Sequence, residues 1–158
     1  HNDFQMYDKE GAADYPDYRK LSADLLFKWN GFSLLAEYVN ATANGLNGLY
    51  VEKDEGAKLK PHQIANYLAL GNGFNVQAGY LFRKLWALDI AYSKVKPEWK
   101  ETEQSVLREA DNITFGASKY FNNNTFKLQL AGSYTSYNQL VGVGSKEFQV
   151  KLNLHILF

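Results

Sequence analysis

Cysteine is absent from this 158-residue chain. That excludes a disulfide framework, thiolate catalysis and a zinc–thiolate site. Proline occurs only at Pro16, Pro61 and Pro97, all outside the cores of the expected strands, where a missing N–H does no harm. No apolar run reaches the roughly 18 residues of a transmembrane helix. Any membrane span must then be built from strands, because lipid tolerates only helices and closed barrels. An excess of one charge is lacking too: 17 Lys and Arg balance 17 Asp and Glu. The whole-chain balance therefore predicts no nucleic acid or other polyanion as a partner. His1, His62 and His155 are scattered, so no metal site is expected. Gly71-Asn72-Gly73 and Gly142-Val143-Gly144 read as loop glycines, since no helix with phosphate-cradle spacing follows them. No Ser-His-Asp set falls on one face. The expectation is a protein that is not an enzyme and carries no cofactor.

What the chain does have is alternation. From Lys146 to Phe158 it reads K-E-F-Q-V-K-L-N-L-H-I-L-F. Phe148, Val150, Leu152, Leu154, Ile156 and Phe158 share one parity; Glu147, Gln149, Lys151, Asn153 and His155 share the other, broken only by Leu157. Side chains in a strand point to opposite faces at period 2. A strand of a transmembrane barrel needs about 9–11 such residues, apolar toward lipid and polar toward the lumen. The ending on Phe158 resembles the C-terminal targeting signal of Gram-negative outer-membrane barrels, which the barrel-assembly machinery reads. The chain opens on His1-Asn2-Asp3 without an initiator Met, so a cut N-terminus is expected.

Six earlier segments repeat the pattern. They run from Arg19 to Trp29, Phe32 to Tyr38, Gly73 to Phe82, Trp86 to Ser93, Asn112 to Phe121 and Phe126 to Tyr134. The expected fold is all-β: an antiparallel transmembrane β-barrel, of which about seven strands lie in residues 19–158. Residues 1–18 are then the remnant of an extracellular loop. Connection lengths alternate. Asn30-Gly31, Arg83-Lys84 and Asn122 to Asn124 are tight turns; about Asn40 to Asn72, Lys96 to Asp111 and Asn138 to Ser145 are longer. Outer-membrane barrels pair short periplasmic turns with long extracellular loops. Aromatics of the apolar parity flank the tight turns, at Trp29, Phe32, Phe82, Trp86, Phe121 and Phe126, with Phe158 at the same end. Such a girdle marks a membrane interface. Tyr38, Phe74, Tyr92, Tyr134 and Phe148 form a second group. Lys119 falls on the apolar parity near a turn, from where its long stem can snorkel to the interface.

The opposite parity yields candidate lumen residues: Lys20, Asp24, Lys28, Glu37, Asp89, Lys127, Gln129, Glu147, Lys151 and His155. Asp24, Glu37 and Asp89 are expected to pair with Lys20, Lys28 or Lys127 across the barrel wall, giving a mixed-sign surface. The stretch Pro61 to Leu70 has Ile64, Tyr67 and Leu68 at helical spacing. It reads as a short loop helix, folded into the lumen, touching a neighbour, or part of an ordered surface loop. Even strand numbers are the rule for bacterial single-chain barrels. Seven strands therefore imply the C-terminal part of a larger barrel, unless residues 1 to 8 complete an eighth strand. A soluble β-sandwich or lipocalin-like barrel, with the apolar face as its core, is the alternative.

Three segments carry a family resemblance. Lys20 to Tyr38 (K-L-S-A-D-L-L-F-K-W-N-G-F-S-L-L-A-E-Y), Gly73 to Pro97 and Asn112 to Tyr134 resemble phosphate-selective porins O and P. The resemblance implies a sixteen-stranded trimeric porin in the outer membrane of a Gram-negative bacterium, these being strands ten to sixteen. It implies a water-filled channel for passive diffusion of small solutes or ions, anions such as phosphate among them. The lumen arginines of that family are sparse in this segment, which has Arg19, Arg83 and Arg108. The alternatives are a non-conducting barrel subunit of a larger outer-membrane complex and a soluble barrel that binds a small ligand.

Overall fold

The computed structural model describes residues 6–50, 58–59, 61–64, 67–83, 85–99, 107–121, 126–138 and 145–156. Two short strands, β1 (Met6–Tyr7) and β2 (Ala13–Asp14), form a hairpin of their own. Seven long strands follow: β3 (Asp17–Trp29), β4 (Phe32–Asn44), β5 (Gly71–Phe82), β6 (Trp86–Pro97), β7 (Ala110–Phe121), β8 (Phe126–Tyr137) and β9 (Ser145–Ile156). They make one antiparallel sheet in sequence order, β3 to β9. Each strand has 12 or 13 residues, longer than the alternation alone indicates. The gain comes mostly at the ends away from the tight turns, where Asn, Thr, Lys and Pro blur the apolar pattern but the ladder continues. Pro97 is the last residue of β6, so its missing N–H ends the strand rather than interrupting it.

The turns explain the register. Asn30 (φ 45°) and Gly31 (φ 85°) both adopt positive φ, as a type I′ hairpin turn requires. They join Trp29 and Phe32, which face each other directly. The second turn is one residue longer than Arg83-Lys84. Phe82 pairs with Trp86, and the Leu85 N–H donates to the Phe82 carbonyl at 2.9 Å. Residues 122–125 lie outside the described set; Phe121 and Phe126 pair across the third connection.

Following the ladder from hairpin to hairpin gives the tilt. The row containing Trp29 and Phe32 passes through Tyr80; Phe82, which closes the next hairpin, lies two residues further on. Phe121 lies two residues beyond Lys119, the partner of Trp86. The tight turns thus advance one residue per strand. With about 3.3 Å per residue and 4.8 Å between strands, turns held at one level require a strand tilt of about 35°. That falls at the low end of the 35–45° range of transmembrane barrels.

The apolar parity forms one surface, broken between the aromatic levels by Lys119, and among the described residues no second layer covers it. Even on strands flanked on both sides, Leu88, Phe115 and Leu130 keep 52, 57 and 52% of their surface exposed. The buried core lies instead at the loop end. Leu49 and Ile64 are fully buried, and Met6, Ala43, Leu46, Leu59 and Leu70 pack with them, flanked by Leu68 and Trp99. Backbone bonds stitch this cap: Tyr7 and Tyr50 exchange N–H···O bonds of 3.1 and 2.8 Å, and Leu59 N–H donates to Leu49 O at 2.7 Å. β1 belongs to this cap and pairs with β2 and Tyr50, so residues 6–7 do not supply an eighth strand of the long sheet. The expected helix shrinks to α1 (Pro61–Ile64). Ile64 is buried in the cap core while Tyr67 is exposed, and the Tyr67 and Leu68 N–H groups both donate to Ile64 O.

Candidate functional site

The other parity of the sheet carries the candidate lumen residues, and the register arranges them in rows. One row runs Lys28, Ser33, Gly79, Asp89, Gly116, Ala131, Lys151. Two rows toward the loop end stands Asp24, Glu37, Asn75, Ser93, Asn112, Thr135, Glu147. Lys127 pairs with His155 nearest the turns, and Gln129 pairs with Ser118 and Asn153. Lys20, opposite Ala41, lies at the loop end. Lys28 and Lys127 each stand next to a tight turn, whereas Lys151 and Lys20 lie farther from the turn level than Asp24 and Glu37; one ladder row holds three carboxylates and no cation.

This differs from the expected ion pairs. Among the described residues, Asp24, Glu37 and Asp89 form no salt bridge with Lys20, Lys28 or Lys127. The register is the reason. Asp24 lies directly opposite Glu37, and Lys28 is four residues further along its strand, about 13 Å away. Glu37 is satisfied instead by Asn75, whose Nδ2 donates at 3.0 Å. Asn112 donates to Thr135 Oγ1 at 2.7 Å and accepts from Thr114 Oγ1 at 3.0 Å. The uncharged members Asn75, Asn112, Thr114 and Thr135 belong to the site as much as the charged ones. Their signal in the sequence was parity alone. Lys127 extends over the Tyr120 ring, 5.4 Å from its centroid.

Asp89 occupies a space made by glycine. Its carboxylate lies over Gly79, where an added Cβ would press on it and on Ser33 Oγ, and its Cβ borders Gly116. A hollow of about 880 Å³ opens along this face, lined by residues of β3 to β8 from Lys28 to Gln129. Three leucines, Leu26, Leu35 and Leu81, interrupt the polar parity, the first two facing each other.

Toward the loop end the same face turns apolar and small: Val39, Gly73 and Val95, then Ala41, Gly71 and Pro97. Ala41, Ala43, Gly71 and Pro97 are buried, while Asn72 and Lys96 on the other parity are exposed. The cap thus folds onto the polar side of the sheet, and the small residues there give it room. Glu98, just past β6, hydrogen-bonds Leu70 O through its N–H at 3.0 Å; partial burial pushes its carboxyl above the ordinary value.

On the apolar parity the described aromatics fall into two groups, one at the tight turns and one toward the loop end. Phe121 and Phe126 rings are 5.1 Å apart at the turn end, and Phe74 and Tyr92 meet edge-on at 5.5 Å in the second group. Tyr92, Tyr134 and Phe148 share one row through Ile113. Phe158 lies outside the described residues. Beyond the second group, Lys94 Nζ pairs with Asp111 Oδ1 at 3.0 Å, and Tyr92 Oη donates to the same oxygen at 2.7 Å. No three His, Asp or Glu among the described residues are grouped to hold a metal ion. No helix among them is long and apolar enough to cross a membrane. Comparison with family models, curated proteins and solved structures finds no match to this chain.

Proposed function

We propose that the seven-stranded sheet is part of an outer-membrane porin, with its polar face lining a water-filled channel and its apolar face against lipid. The observation that carries the reading is the unpartnered apolar face on strands of uniform length. Burying a Leu or Phe side chain is worth about 1.5–3 kcal/mol, and a face of this extent left in water would forfeit that many times over. Lipid removes the cost. At the tilt drawn from the turns, the two aromatic levels, six to eight residues apart on each of β4, β5, β6 and β8, are about 16–22 Å apart along the membrane normal. An apolar band about 25 Å tall between girdles is what such barrels present. The Lys94–Asp111 pair falls just beyond that band, where charge is tolerated.

A soluble barrel with the apolar face inward fits less well, because the hollow of the sheet is lined by Lys28, Asp89, Asn112 and Gln129, while Leu88, Leu130 and Leu152 face away from it. Closure requires further strands to pair with the free edges of β3 and β9. In the phosphate-porin reading those would complete a sixteen-stranded, trimeric pore. Both signs are met along the wall: Lys28 and Lys127 next to the turns, Asp89 just above them, Asp24 and Glu37 at mid-height, and Lys151, Lys20 and Glu147 farther toward the loop end. The cap narrows the loop-end mouth on the side of β4 to β6, so it acts as a size filter.

Planar-bilayer recording of the full-length protein tests this directly. Open, passive conductance is expected. A protein that inserts but conducts nothing removes the porin reading, and one that stays in the soluble fraction removes the membrane reading.

A further inference from the structure

The apolar face is not smooth. Ala78, Ala117 and Gly132 stand among Leu88, Phe115 and Leu130, and a groove of about 530 Å³ results; its exposed lining is almost wholly apolar, with Gly79, Asp89 and Gly116 of the opposite parity at its floor. Next to it lies Lys119, the only charged residue of the described apolar face between the two aromatic levels. Lys119 sits in the row Phe82, Trp86, Lys119, Leu128, Leu154, one step nearer the turns than Leu88, Ala117 and Leu130. Its ammonium is held 4.3 Å from the Trp86 ring centroid and 5.8 Å from that of Phe121. Among the described residues no carboxylate pairs with it.

A cation at the mouth of an apolar groove, level with an aromatic girdle, matches one molecule in both charge and shape. We infer that this is a binding site for a single anionic phospholipid of the leaflet on the tight-turn side. The inference rests on the membrane-barrel reading. The phosphate diester contacts the Lys119 ammonium at the interface, and one acyl chain lies along the floor of Ala117, Ala78 and Gly132. Small floor residues are needed because a larger side chain at any of them fills the groove. The ring faces of Trp86 and Phe121 pre-order the lysine, so little freedom is lost when the phosphate arrives.

Native mass spectrometry of the full-length protein, released from detergent with phosphatidylglycerol or phosphatidylcholine added, tests the site. One phosphatidylglycerol should be retained about fivefold over phosphatidylcholine, the ratio expected from one lysine near an anionic headgroup. Lys119→Gln should abolish that preference while both lipids still bind weakly. Ala117→Phe should cut retention of both, in protein whose β-sheet circular dichroism is unchanged. Equal retention of the two lipids by the unmodified protein, or an undiminished preference in Lys119→Gln, would overturn the site. Displacement of the lipid by an equal concentration of inorganic phosphate would overturn it too, since the groove would then contribute nothing. Each of these results would leave bilayer insertion intact, whereas failure of the membrane reading would appear as no insertion at all.

Discussion

Lys119 and Trp86 face each other across β6 and β7, and the lysine ammonium rests 4.3 Å from the indole centroid. A charge on an apolar parity looks like a fault in the pattern; paired with a ring it becomes an anchor at the interface. A cation over Trp contributes about 0.5–1 kcal/mol when exposed and about 2 or more when desolvated. A double-mutant cycle with Trp86→Leu and Lys119→Met, measured by urea unfolding in lipid vesicles, should return a coupling of about 1–2 kcal/mol. Additive effects would mean that the pair does not interact in the bilayer.

The lipid face has a sharp one-residue test. Leu130 pairs with Ala117 and Leu152, whereas its neighbour Gln129 pairs with Ser118 and Asn153. Leu130→Arg should destabilise the inserted protein by about 2–4 kcal/mol. Gln129→Arg should cost far less, because the guanidinium reaches the hydrated side. Equal losses would show the register or the assignment of faces to be wrong.

The cap should melt independently of the sheet. Ile64 is fully buried and its loss leaves a cavity, so Ile64→Ala should cost the cap about 2–5 kcal/mol. Amide exchange at Leu59, whose N–H donates to Leu49 O, should accelerate, while amides of β7 and β8 keep their protection. In bilayers the same variant should conduct larger solutes. Simultaneous loss of protection in cap and sheet would join them into one unit.

Glycine at position 31 is set by two constraints. Its φ is +85°, and an added Cβ would approach the Leu81 carbonyl oxygen at 2.8 Å. That oxygen belongs to a residue whose own N–H bonds Gly31 O at 2.8 Å. Gly31→Ala should therefore cost about 1–2 kcal/mol and slow formation of the β3–β4 hairpin. An unchanged urea midpoint would count against the type I′ turn.

Charge and sidedness give a functional pair of tests. Lys127→Glu with Lys151→Glu reverses two ammonium groups of the polar face, and the reversal potential of the full-length pore should move toward cations. No movement would take these residues out of the pore wall. A cysteine at Asn47, exposed in the cap, should react with an impermeant thiol reagent on intact cells, and one at Asn123 should not. The opposite labelling would invert the topology.

Alternation and turn chemistry made the sheet legible from the chain alone. The parity of Leu21 to Trp29 against Lys20 to Lys28, and an Asn-Gly that only a type I′ turn suits, are local facts that any register must respect. They determined the strand order, the two faces and the aromatic levels. The pairing of particular side chains was not local. Asp24 opposite Glu37, Asp89 above Gly79 and Lys119 over Trp86 follow from ladder register summed over several hairpins, and a single extra turn residue such as Leu85 shifts every later row. The cap was the least legible part. Met6, Leu46, Leu49, Leu59, Ile64 and Leu70 show no period, because a small loop core is assembled by collapse of distant apolar residues onto one another. Only the tertiary structure decides which face of the sheet they cover, and they cover the face where Ala41, Gly71 and Pro97 leave room.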